Sequence, residues 1–139
     1  WVASNTEVAD ILRDYRDYTM ICAGVFDDMV ATLVLENKEA ILERNRQIVE
    51  ENLALMDAWI AREPKASWIR PASVSTSFVK LDVNRPIEDF ALELLQDYGV
   101  LVVPGNRFDK ESHVRIGYCC DKEVLQKGLE KLSQFLNKC

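Results

Sequence analysis

Residues 114–118, Val-Arg-Ile-Gly-Tyr, set one arginine two positions before a glycine in a run otherwise apolar at alternate positions. Strand side chains alternate between faces, so Val114, Ile116 and Tyr118 are expected to point one way and Arg115 and Gly117 the other. Gly117 has no side chain and leaves room beside the guanidinium, whose fixed fork of donors suits a two-point grip on a carboxylate. Arg115 is therefore the candidate binding residue. The same residues also fit a surface arginine paired with one of the 23 acidic side chains.

Other reactive side chains offer less. His113, the one histidine, reads as a strand-edge residue with no serine or cysteine motif beside it. The four cysteines, Cys22, Cys119, Cys120 and Cys139, lack the Cys-x-x-Cys spacing of a zinc or redox site, so reduced structural thiols and no bound metal are expected. Asn106 and Arg107 follow a Pro-Gly pair and read as turn formers or as residues at a site's edge.

The elements that must hold Arg115 can be read along the chain. Residues 4–7, Ser-Asn-Thr-Glu, have the form of a capping box, and Val8, Ile11, Leu12 and Tyr15 recur at helical spacing, which predicts a helix over 5–17. A turn over 18–24 leads to a second helix over 25–36. Asn37 is placed to cap a long helix running to about Arg62, where Ile41/Leu42, Ile48/Val49 and Leu55/Met56 repeat every seven residues and Pro64 enforces an end. Residues 67–70 form a short candidate strand. Residues 75–82 alternate, with Val79 and Leu81 on one face and Phe78 and Lys80 on the other. Pro86 opens a helix with Ile87, Phe90, Ala91, Leu94, Leu95 and Tyr98 on its apolar face, and Gly99 closes it. Residues 100–103 are apolar throughout and predict a strand covered on both sides, and Asp121 caps a final helix.

The expectation is an α+β fold: a small mixed sheet of three to four strands covered on one face by helices, preceded by a long helix and an N-terminal helical segment. A right-handed crossover makes the Phe78 and Val100 strands parallel, with the Arg115 strand antiparallel between them. Arg115 then stands centrally on the uncovered face, near Phe78. That face is too apolar to be wholly solvated, which implies that it packs on a larger domain.

Composition bounds the function. The chain has 139 residues, 48% hydrophobic and 29% charged, and a net charge of −6 with both signs interspersed. No basic block exists to follow a phosphate backbone, so nucleic acid is not an expected partner. No apolar run approaches the roughly 20 residues of a membrane span, and the cytoplasm is the expected compartment. The chain opens on Trp1 rather than Met, and is expected to be an excised piece of a longer protein.

In order and spacing, these signals resemble the C-terminal small domain of the class I/II aminotransferases, pyridoxal-phosphate enzymes of fold type I. The matching pieces are the Trp-Val-Ala-Ser opening, Leu42-Glu43-Arg44-Asn45-Arg46 in the long helix, and the strand carrying Phe78. After these come Gly99-Val100, Pro104-Gly105 with Phe108 three residues on, and residues 114–117. The resemblance implies that residues 1–36 continue from a missing large domain and that 37–139 form the small domain. It implies that the parent transfers an amino group between an amino acid and a 2-oxo acid, as a homodimer, with Arg115 binding the substrate α-carboxylate. Trp1 implies a Schiff-base lysine just upstream. None of the eight lysines present, Lys38, Lys65, Lys80, Lys110, Lys122, Lys127, Lys131 and Lys138, has the serine-rich surroundings of that lysine, so the fragment alone is expected to hold no cofactor and to be inactive. Ser75-Thr76-Ser77 stand where the family often has glycines, which leaves the substrate's side-chain class open. A free-standing ligand-binding or regulatory α+β module, and a purely structural interaction domain, are the alternatives that the residues leave.

Overall fold

The computed structural model describes residues 2–139; Trp1, and with it the implication drawn from that residue, lies outside the described residues. The chain divides into two compact units, Trp1–Leu42 and Glu43–Cys139.

The first unit holds helices α1 (Thr6–Thr19) and α2 (Val25–Glu36). Asn5, not Ser4, caps α1: its side-chain oxygen accepts the Val8 N–H at 2.9 Å. Both residues are competent caps, and the chain uses the later one, so a single side-chain cap at Asn5 replaces the expected capping box, since Val8 has no group to bond back. Asn37 likewise departs from expectation. Its amide nitrogen donates to the Leu33 carbonyl at 2.8 Å, closing α2 rather than opening the next helix. Neither α1 nor α2 contains a buried residue, although both carry large apolar side chains such as Tyr15, Phe26 and Leu33.

Helix α3 (Lys38–Arg62) runs from the first unit into the second. Of its apolar stripe, Leu53, Met56 and Trp59 are buried, while Leu42 is exposed. The second unit continues with β1 (Ala66–Trp68), β2 (Thr76–Leu81), α4 (Ile87–Tyr98), β3 (Val103–Pro104), a 3-10 turn (Gly105–Phe108), β4 (His113–Gly117) and α5 (Lys122–Leu136). The sheet order is β1-β2-β4-β3. Every hydrogen-bonded pair is antiparallel, and β2 and β3 run parallel to each other across the intervening β4, the arrangement expected for these three strands.

Period-two alternation decides what the sheet buries. Val79 and Leu81 of β2 and Val114 and Ile116 of β4 face inward and join Met56, Trp59, Phe90, Leu94, Leu129 and Phe135 in one core. Each such side chain, fully removed from water, contributes about 1.5–3 kcal/mol. Gly99 ends α4 at φ 66°, a left-handed conformation that glycine takes without the Cβ penalty. Asp121 accepts the Glu123 N–H at 2.9 Å and starts α5, as expected.

Two strands differ from expectation. Residues 100–102 stay outside β3, and Val102 is buried in the core while Leu101 is 76% exposed, so the run is covered on one side and not on both. Strand β1 begins one residue earlier than expected and ends at Trp68, leaving Ile69 exposed ahead of Pro71.

Candidate functional site

β4 lies between β2 and β3, and its alternation works as expected: Val114, Ile116 and Tyr118 are buried while Arg115 and Gly117 are exposed. The register sets Arg115 opposite Phe78 on one side and Val103 on the other. These three form a row across the open sheet face. A Cβ built on Gly117 would meet nothing within 4 Å, so the space beside the arginine is empty.

The guanidinium has no carboxylate partner among the described residues; it rests on an aromatic ring. Its central carbon lies 5.2 Å from the centroid of Phe108. Phe108 meets Phe78 edge-on with centroids 5.5 Å apart, and His113 stacks on Phe78 at 5.6 Å. A cation over a ring face is held by the ring quadrupole while its in-plane N–H donors stay free. Arg115 can therefore keep a fixed orientation and still present its fork.

The 3-10 turn delivers Phe108 to this position. Gly105 packs so closely that a Cβ would run into the carbonyl oxygens of Lys110 and His113. The Lys110 N–H returns to the Gly105 carbonyl at 2.9 Å. Asn106 and Arg107 both bond Glu88 at the start of α4, the amide of Asn106 at 2.8 Å. These two residues tie the turn to the helix layer. The pairing with Glu88 could not be read in advance, because it joins residues far apart in sequence that carry no shared motif.

The exit of β4 is fixed from below. Buried Asn52 on α3 donates to the Tyr118 carbonyl at 2.7 Å and to the Cys120 carbonyl at 2.8 Å. Nearby, the Trp59 indole N–H donates to Ser133, whose hydroxyl donates to Glu63 at 2.6 Å. Burial pushes the Tyr118 phenol above its ordinary value, with the neighbouring Cys119 adding to the shift, so the ring stays neutral.

His113 is the first residue of β4, a strand-edge position as expected, and lies directly across from Lys80. Burial, then the charges of Lys110 and Lys80, hold its imidazole below the ordinary histidine value. All four cysteines are exposed and unpaired, and no group of three potential metal ligands exists among the described residues. No described helix is long and apolar enough to cross a membrane.

Comparison with known proteins adds an independent line. A solved pyridoxal-phosphate-dependent aminotransferase from Streptococcus suis matches with a TM-score of 0.95 and 66% identity, covering 99% of this chain and 37% of its own. Capreomycidine synthase of Streptomyces vinaceus is 26% identical over 98% of this chain and 35% of its own length. A probable N-acetyl-LL-diaminopimelate aminotransferase of Bacillus subtilis is 26% identical over 95% of this chain and 34% of its own. The chain thus spans about a third of the length of these relatives. The sequence model of the family described as aminotransferase class I and II matches residues 1–132. A match over nearly the whole chain establishes the family: this chain belongs to the class I and II aminotransferases.

Proposed function

We propose that residues 37–139 are the C-terminal small domain of a pyridoxal-phosphate-dependent aminotransferase, that residues 1–36 continue from its large domain, and that Arg115 binds the substrate α-carboxylate. The observation that carries the reading is a guanidinium without a carboxylate partner, exposed on the open face of a central strand, with a ring beneath it and free space at Gly117 beside it. A carboxylate docked there accepts two charge-assisted bonds, which fixes the α-carbon relative to whatever lies across the cleft.

Pyridoxal phosphate supplies the electron sink for the reaction when bound. The residues of this chain do not make a holder for it. Lys65 donates to the Leu136 carbonyl and Lys131 to the Tyr98 carbonyl, Lys122 and Lys127 pair with Glu51 and Glu123, and Lys138 lies over the Tyr98 ring. Lys38, Lys80 and Lys110 are exposed. On this reading the cofactor lysine belongs to the longer protein and the fragment alone is inactive. The unburied apolar side chains of α1 and α2 support the same view, since they call for a covering surface.

The test is Arg115→Gln and Arg115→Lys in the full-length protein. A desolvated two-point pair contributes about 2–5 kcal/mol, so Arg115→Gln should lower kcat/KM by about 30-fold to several thousand-fold. Lysine, a point charge without the fork, should recover only part of this. Amino-acid turnover unchanged in Arg115→Lys would refute the assignment.

A further inference from the structure

A second group of cations stands on the open sheet face, one step along β4 from Arg115. Lys80 and His113 are register partners, and Ser67 of β1 lies opposite Lys80, so the three share one face. The loop before β4 brings in Lys110, held by bonds from its own N–H to Gly105 and from the His113 N–H to its carbonyl. Together with Trp68 and Phe78 these residues line an open pocket of about 430 Å3.

Three features separate this pocket from an ordinary solvated patch. The chain is acidic overall, 23 acidic residues against 17 basic, yet no carboxylate lines the pocket and neither lysine has an acidic partner among the described residues. His113 is fixed by stacking on Phe78, and its buried Nδ1 has no partner, which leaves Nε2 as the nitrogen able to reach a ligand. Phe78 and Ile69 give the pocket an apolar side and the two lysines give it a cationic rim, a combination that suits a charged group attached to a flat or apolar body.

We infer that this pocket binds a phosphate monoester with an apolar or aromatic body, its dianion held by Lys80, Lys110 and His113 and its body laid against Phe78 and Ile69. Two ammonium groups and an imidazole provide donors for three phosphate oxygens, and Ser67 adds a hydroxyl. A singly charged carboxylate leaves part of this cation set unmatched. The pocket does not depend on the role assigned to Arg115: same-face neighbours on a strand are separated by about 7 Å, so the two sites are adjacent but distinct.

The experiment is calorimetric titration of the full-length protein, saturated with pyridoxal phosphate, with phenyl phosphate, inorganic phosphate and benzoate. Phenyl phosphate should bind saturably and more tightly than either of the others. The double variant Lys80→Gln/Lys110→Gln should weaken it roughly tenfold or more. His113→Phe keeps the stack and removes the proton, so it should weaken binding and abolish the histidine's part of the pH dependence, leaving only the phosphate's own second ionisation at about pH 6. Circular dichroism of each variant establishes that the fold is kept. Arg115→Gln should leave phenyl phosphate affinity within about threefold, so failure of the carboxylate assignment and failure of this one are separable. Absence of saturable binding overturns the inference, as does binding indifferent to the lysine and histidine changes or lost only with Arg115→Gln.

Discussion

Phe108 supplies the sharpest test of how Arg115 is held. Phe108→Leu keeps an apolar side chain on the turn but removes the ring on which the guanidinium rests at 5.2 Å. A cation–π contact contributes about 0.5–1 kcal/mol when exposed and about 2 kcal/mol when desolvated. Arg115 is exposed on the sheet face, and a bound substrate under a covering domain would shift it toward the desolvated case. The expected loss in kcat/KM is therefore about 2- to 5-fold for a wet site and up to about 30-fold for a dry one. On the proposed role, in which Arg115 grips the carboxylate before and during reaction, the loss should appear mainly as a raised KM with kcat nearly kept. Phe108 also packs edge-on against Phe78, so a separate loss of about 0.5–1.5 kcal/mol should appear in thermal stability. Phe108→Tyr retains the ring and should stay within about twofold of the parent in KM. A double-mutant cycle isolates the link: in an Arg115→Gln background, Phe108→Leu should cost nothing further in kcat/KM. Additive losses, or an unchanged KM in Phe108→Leu alone, would refute the reasoning.

Asn52→Ala strips donors from two carbonyls, Tyr118 and Cys120, and should lower stability of the full-length protein by about 2–4 kcal/mol, read from the shift in urea midpoint; a loss below about 0.5 kcal/mol would contradict the assigned role. His113 predicts a pH effect with a definite sign. Its imidazole is held below the ordinary 6.5 by burial and by Lys110 and Lys80, with Arg115 on the same strand face adding no opposite charge. A histidine harder to protonate folded than unfolded keeps its stabilising contribution above the unfolded value and loses it as pH falls below. Between about pH 7 and pH 5 the parent should lose more stability than His113→Phe, and equal losses would contradict it.

The structure's local rules were legible wherever one residue decides the outcome alone. Alternation placed Arg115 opposite Val114 and Ile116; Gly99, Pro64 and Asp121 marked helix ends. What escaped were choices between neighbours and contacts across the fold. Ser4 and Asn5 compete for one cap, and sequence offers no reason for the second to win. Asn52 falls between Ile48/Val49 and Leu55/Met56 on the apolar stripe of α3, and nothing local shows that its partners are two carbonyls more than sixty residues downstream. The continuous apolar run at 100–103 reads as a doubly covered strand, whereas only Val102 reaches the core and Leu101 is left in the open. Arg115's seat on Phe108 depends on how the 3-10 turn folds back, which rests on Gly105 and on Glu88, a residue of another element.

The core and the candidate site are two faces of one register. A slip of β4 by a single residue against β2 would send Arg115 into the helix layer and bring Val114 and Ile116 out. The apolar loss alone is about 1.5–3 kcal/mol for each side chain exposed, and an unpaired guanidinium under the helices adds several more. Asn52, bonded to the two carbonyls just past the strand, would lose both partners in the same slip. The contacts that exclude water on one side thus fix which way the charge points on the other. A mutation that loosens the inner packing without touching the open face, such as Ile116→Ala, should therefore raise KM as well as lower stability, by widening the range of positions Arg115 visits. Stability lowered with KM unmoved would show that the arginine is held by Phe108 and its turn rather than by the strand beneath it.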